Sequence, residues 1–85
     1  MTAKPIKPGN LVTMSKQFKY HNKWFGLVLR DNGLMIDSRN DWELKNSYIV
    51  LGLSVFDLEM YGISNKLIEF SLFDYEIELI GMDLI

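Results

Sequence analysis

Between residues 16 and 24, lysines alternate with rings, and this is the stretch whose residue types could do chemistry. Lys16, Lys19 and Lys23 stand among Phe18, Tyr20, His21 and Trp24. Ammonium groups can hold phosphate oxygens while an aromatic face stacks on a base. Arg39 adds a planar guanidinium suited to bidentate contacts. Lys16, Lys19, Tyr20, Lys23, Trp24 and Arg39 are therefore the candidate ligand contacts, with Tyr20 and Trp24 as the stacking platform. The same loop also reads as a solvated connection whose Phe18 and Trp24 cap a barrel end. A second candidate is Phe56, Leu58, Met60 and Tyr61, set among Asp57 and Glu59. Exposed, these side chains would form a protein interface; buried, they would make an extra strand.

Catalytic sets are absent from the chain. There is no cysteine, which removes disulfides, thiolate nucleophiles and cysteine-bound zinc. His21 is the only histidine, and no glycine-rich phosphate cradle exists, so no nucleophile, base and orienting group can be assembled. Glu69, Asp74, Glu76 and Glu78 lie close in sequence, but Glu76 and Glu78 two apart read as the wet face of a closing strand. The expectation is a binding protein, not an enzyme, without cofactor or metal.

Charge narrows the partners further. The net charge is −2 and the isoelectric point about 5.2. Duplex nucleic acid rewards a dense basic footprint, so this balance disfavours it. The halves differ in sign: residues 1–45 carry eight Lys/Arg against four Asp/Glu, and residues 46–85 one against seven. Such a chain could associate head to tail or offer a basic face to an anion, unless folding intermixes the charges. A homo-oligomer that binds another protein or a nucleotide-like small molecule is the expected partner set.

The elements that must position these residues are short strands. With 85 residues the chain is expected to form one domain over 9–85 behind an extended tail at 1–8. Lys7-Pro8-Gly9 predicts a tight turn, because proline presets one angle and glycine accepts a positive φ. Strand character follows at Leu11–Met14. Residues 24–37 predict a hairpin about Asp31-Asn32-Gly33, whose residues tolerate left-handed geometry. Ser38–Ser47 predicts a polar loop, and Tyr48–Leu53 a strand covered on both faces. Residues 54–61 alternate as an amphipathic strand does, with a helix as the weaker alternative. Leu67–Leu72 and Glu76–Ile80 complete the strands, joined by a turn at Phe73-Asp74-Tyr75. Met82, Leu84 and Ile85 are apolar enough to dock on the chain itself or on a neighbour. No apolar run approaches the ~20 residues of a membrane helix, and a soluble cytoplasmic protein is expected.

Three segments carry a resemblance to the small SH3-like barrels encoded by many tailed bacteriophages. Lys7-Pro8-Gly9-Asn10-Leu11-Val12 resembles their opening, Gly26-Leu27-Val28-Leu29 their glycine-led second strand, and 68–80 their last two strands and short turn. The resemblance implies an all-β, SH3-like barrel of five to six short antiparallel strands, here with an inserted strand or hairpin at 54–65. It also implies life in the cytoplasm of an infected bacterium, where such a protein would interfere with a host defence or host process. The means would be sequestering an anionic signal or binding a host protein. A pure protein–protein or virion accessory module is one alternative; a nucleic-acid- or ribosome-associated barrel is another. The family shares no chemistry, so it implies no catalytic residues.

Overall fold

A computed structural model of the chain describes residues 6–80. The expectations placed on residues 1–5 of the tail and on Met82, Leu84 and Ile85 lie outside the described residues. Five antiparallel strands form one sheet: β1 (Leu11–Met14), β2 (Phe25–Asp37), β3 (Glu43–Leu53), β4 (Leu67–Phe73) and β5 (Ile77–Leu79). Their spatial order is β4-β3-β2-β1-β5. A single 3₁₀ turn, Asp74–Glu76, precedes the closing strand. This is the strand order of a small SH3-like barrel, all-β except for one short helix.

The opening turn forms as expected. The Asn10 N–H donates to the Lys7 carbonyl at 3.1 Å, with Pro8 and Gly9 between and Gly9 at φ 93°. The first and last strands pair, Val12 against Leu79 and Met14 against Ile77. The predicted hairpin within 24–37 does not form. Residues 25–37 are one long strand, and Asp31-Asn32-Gly33 is an irregularity within it. Asp31 Oδ1 accepts from the Gly33 N–H at 2.8 Å, so the left-handed glycine closes a bulge and the strand runs on. The reversal comes later, at Asn40–Glu43, and strand β3 takes the second half of the expected 38–47 loop.

Segment 54–61 is also corrected: Val55–Tyr61 is a helix, α1. Ser54 accepts the Asp57 N–H at 3.3 Å as N-cap, and Gly62 at φ 74° ends the helix. Serine with an acid three residues on, then glycine after the last turn, is a start-and-stop signal that the period-two alternation outweighed.

The core is Val12, Trp24, Val28, Tyr48, Val50 and Ile77. Trp24, 1% exposed, lies across the barrel, edge-to-face with Phe70 at 5.3 Å. It fits because two cross-strand partners, Gly26 and Gly52, have no side chains. A Cβ on Gly52 would reach within 2.8 Å of Trp24 Cε2, and one on Gly26 within 2.8 Å of its Cη2. Gly52→Ala is therefore expected to cost about 1–3 kcal/mol by overpacking. In a Trp24→Phe background the smaller ring leaves room, so the same substitution should cost at least ~0.5 kcal/mol less. Urea melts of the four proteins check this; additive costs would mean the glycines do not make the slot.

Candidate functional site

The 15–24 connection is a run of tight turns. The Phe18 N–H donates to Ser15, His21 to Phe18, and Lys23 and Trp24 both to Tyr20. Thr13, fully buried, anchors the run: its hydroxyl donates to the Trp24 carbonyl at 2.7 Å and accepts the Asn22 N–H at 2.9 Å. Asn22 takes φ 60°, a conformation asparagine tolerates. His21 donates its Nδ1–H to the Met14 carbonyl at 2.7 Å. The loop thus has a defined shape set by its backbone.

Its side chains point to different places. Lys16 and Lys23 are exposed and have no ion-pair partner among the described residues. Lys19 lies 2.6 Å from Glu59 of α1 and 5.4 Å from the Tyr20 ring centre. The bond to Glu59 raises the Lys19 pKa and holds the Glu59 carboxyl below its ordinary range. Tyr20 packs against the core, and partial burial raises its phenol pKa, with Glu59 adding to the effect. Trp24 is no stacking platform; its indole fills the interior, and Nε1–H donates to the Leu53 carbonyl at 2.9 Å. A ring needed to complete the core cannot also face a ligand.

Arg39 sits elsewhere, at the far end of the β2–β3 arm. Its Nη2–H donates to Glu76 Oε2 at 3.1 Å, which raises the guanidinium pKa further, and its Nε lies 3.6 Å from Asp37. Glu76 Oε1 accepts the Phe73 N–H at 2.9 Å, clamping the 3₁₀ turn. Lys45 Nζ lies 3.7 Å from Asp37 and 4.7 Å from the Tyr75 ring centre, while Phe73 and Tyr75 stack at 6.0 Å. Sequence reasoning missed Asp37, Lys45, Phe73 and Tyr75 as members of this cluster. Only the Asp-x-Arg spacing at 37–39 hinted at it, since an aspartate often accepts the N–H two residues on, as Asp37 does here at 3.1 Å.

Between the 15–24 loop and the 3₁₀ turn lies a cleft of about 120 Å³, lined by Met14, Phe18, Leu72 and Glu76. Arg39 does not line this cleft but bonds Glu76, one of its walls, while Lys19 and Tyr20 face Glu59 of α1. Of the interface candidates, Leu58 packs against the core, whereas Phe56, Met60 and Tyr61 are exposed. The charged halves are intermixed by folding: Lys19 meets Glu59, Arg30 meets Glu69 and Arg39 meets Glu76. Among the described residues no group of three or more His, Asp or Glu side chains could hold a metal, and no helix is long and apolar enough to cross a membrane.

The Asp37 side chain is fully buried. Burial opposes its ionisation, but the Tyr75 hydroxyl, the Arg39 N–H and the charges of Arg39 and Lys45 outweigh it, so its pKa falls below the ordinary aspartate value. A depressed carboxyl stabilises the fold above its unfolded pKa, and that stabilisation is lost as pH falls through the folded pKa. Thermal melts should therefore lose stability from about pH 4 downwards, and Asp37→Asn should lower Tm at pH 7 and flatten that acid limb. An unchanged limb would mean other carboxylates cause it. No protein-family model, no curated protein and no solved structure matches this chain.

Proposed function

We propose that this protein is a non-catalytic binding module that docks on a protein partner, in the manner of a small phage barrel acting on a host process. The resemblance of 7–12, 26–29 and 68–80 to phage barrels supplies the setting. The observation that carries the choice of a protein partner is how the candidate cations are used. Lys19 is committed to Glu59, Arg39 to Glu76 and Asp37, and Trp24 to the core. Of the candidate cations, an anionic small molecule would find Lys16 and Lys23 unengaged, and the two expected stacking rings are turned away, Trp24 into the interior and Tyr20 against the core.

What stays available is apolar. Met14, Phe18 and Leu72 wall a cleft large enough for one side chain of an extended segment, with the Glu76 carboxylate and Arg39 at its margin. Such a cleft reads shape and hydrophobicity, and a charged rim orients the segment.

Selection of short peptides against the full chain, followed by titration of the selected sequences, tests the reading. Phe18→Ala should weaken binding tenfold or more, about 1.4 kcal/mol, without changing the melting temperature by more than a few degrees. Linear and cyclic nucleotides should leave the melting temperature unchanged. A nucleotide that raises it, with the rise abolished by joint Lys16→Ala, Lys19→Ala and Lys23→Ala, would overturn the protein-docking reading in favour of anion sequestration.

A further inference from the structure

A tryptophan stands at the tip of the β2–β3 arm in a backbone conformation that disfavours it. The Glu43 N–H closes on the Asn40 carbonyl at 3.4 Å, with Asp41 at φ 61° and Trp42 at φ 57° between them. Two consecutive left-handed residues make a type I′ turn, whose second central position favours glycine. A bulky side chain there is a genuine outlier. Trp42 is nonetheless 71% exposed. Strain held without burial points to a contact outside the chain.

Behind the tip, one face of the arm is uncovered. Ile36 pairs with Leu44 and Leu34 with Asn46, so Leu34, Ile36 and Leu44 share a face, and all three are exposed. The opposite face holds Asp37 and Lys45 against the 3₁₀ turn. At the other end of β3 is a concave match. A groove of about 310 Å³ lies between α1 and the turn before β4, lined by Asp57, Tyr61, Ile63, Ser64 and Asn65. Its apolar walls suit an indole body, and its carboxylate, hydroxyl and amide oxygens suit the single indole N–H.

We propose that copies of this chain associate head to tail, with Trp42 of one copy seated in the α1 groove of the next. Glu43 and Leu53 bound β3, a separation of roughly 33 Å at 3.3 Å per residue, so one chain cannot fill its own groove. Both complementary parts belong to every copy, which makes a second copy the occupant. The areas agree. With large side chains offering about 150–250 Å² each, the arm leaves on the order of 500 Å² apolar. Phe56, Met60, Tyr61, Ile63 and Leu67 leave somewhat more at the other end. A monomer's largest apolar patch is usually about 300–600 Å² and this chain carries two of that size, each of which, with its polar rim, approaches the ~800 Å² per partner of a stable interface. A heterologous contact of this kind closes a ring if its rotation permits and otherwise extends a chain.

Size-exclusion chromatography with light scattering on the full chain tests this. The parent should run above its 9.9 kDa monomer mass. Trp42→Gly should run as a monomer, or dissociate at least tenfold more readily, with a melting temperature at 5 µM or below no lower than the parent's, because glycine relaxes the turn. Tyr61→Ala with Ile63→Ser should also run as a monomer. Mixed together, the two variants retain one intact contact and should form a two-chain species. A monomeric parent up to millimolar concentration, an unchanged mass for Trp42→Gly, or a mixture that stays monomeric would each overturn the proposal.

Discussion

The indole of Trp24 occupies space that two glycines leave empty, and the rest of the structure is arranged about that fit. Its ring bridges β2 and β3 at Gly26 and Gly52, meets Phe70 of β4 on edge, and sends its N–H to the last carbonyl of β3. The residue after that carbonyl is Ser54, the cap of α1, so the indole also sets where the helix begins. Its own carbonyl is held by Thr13 of β1. One residue, by its side chain and its carbonyl, thus ties four strands and the helix start. In a domain of 85 residues with room for a single small core, much of the folding energy must pass through such a residue.

That constraint decides what surface is left for function. With Trp24 committed to the interior, the lysine loop loses its expected platform, and its backbone turns aim Lys19 at α1. The acidic second half of the chain then takes up basic groups of the first, at Glu59, Glu69 and Glu76. Exposed pairs of this sort add little stability. Their consequence is that the local charge available to an anion is reduced, while apolar side chains on the arm, the helix and the cleft remain in water. On the proposed reading, that balance of paired charge and exposed hydrophobic area favours a protein partner over phosphates.

Much of the fold was legible in the residues, and its failures have specific causes. Lys7-Pro8-Gly9, strand β1 and the pairing of first and last strands followed from turn chemistry and β-forming runs. Asp31-Asn32-Gly33 misled because a left-handed glycine serves a bulge as well as a reversal, and only the partner strand decides between them. The 54–61 segment misled because eight residues are too few for period two and period 3.6 to separate; Ser54, Asp57 and Gly62 held the better signal. Trp24 misled because an aromatic bordering a lysine loop looks the same whether it faces inward or outward. The glycines at 26 and 52 that receive it are far apart in sequence and meet only across the β2–β3 pair. The Asp37 cluster was hidden for the same reason, since 37, 45 and 75 converge only when the arm folds against the 3₁₀ turn.

The most direct test of this account isolates the interior tryptophan. In a Trp42→Phe protein, Trp24 is the only indole left, and its fluorescence reports its surroundings alone. The account predicts blue-shifted emission that iodide does not quench and that nucleotides do not alter. Red-shifted, iodide-quenched emission from the folded protein would contradict it, because the ring would then be facing solvent and the glycine slot would be empty.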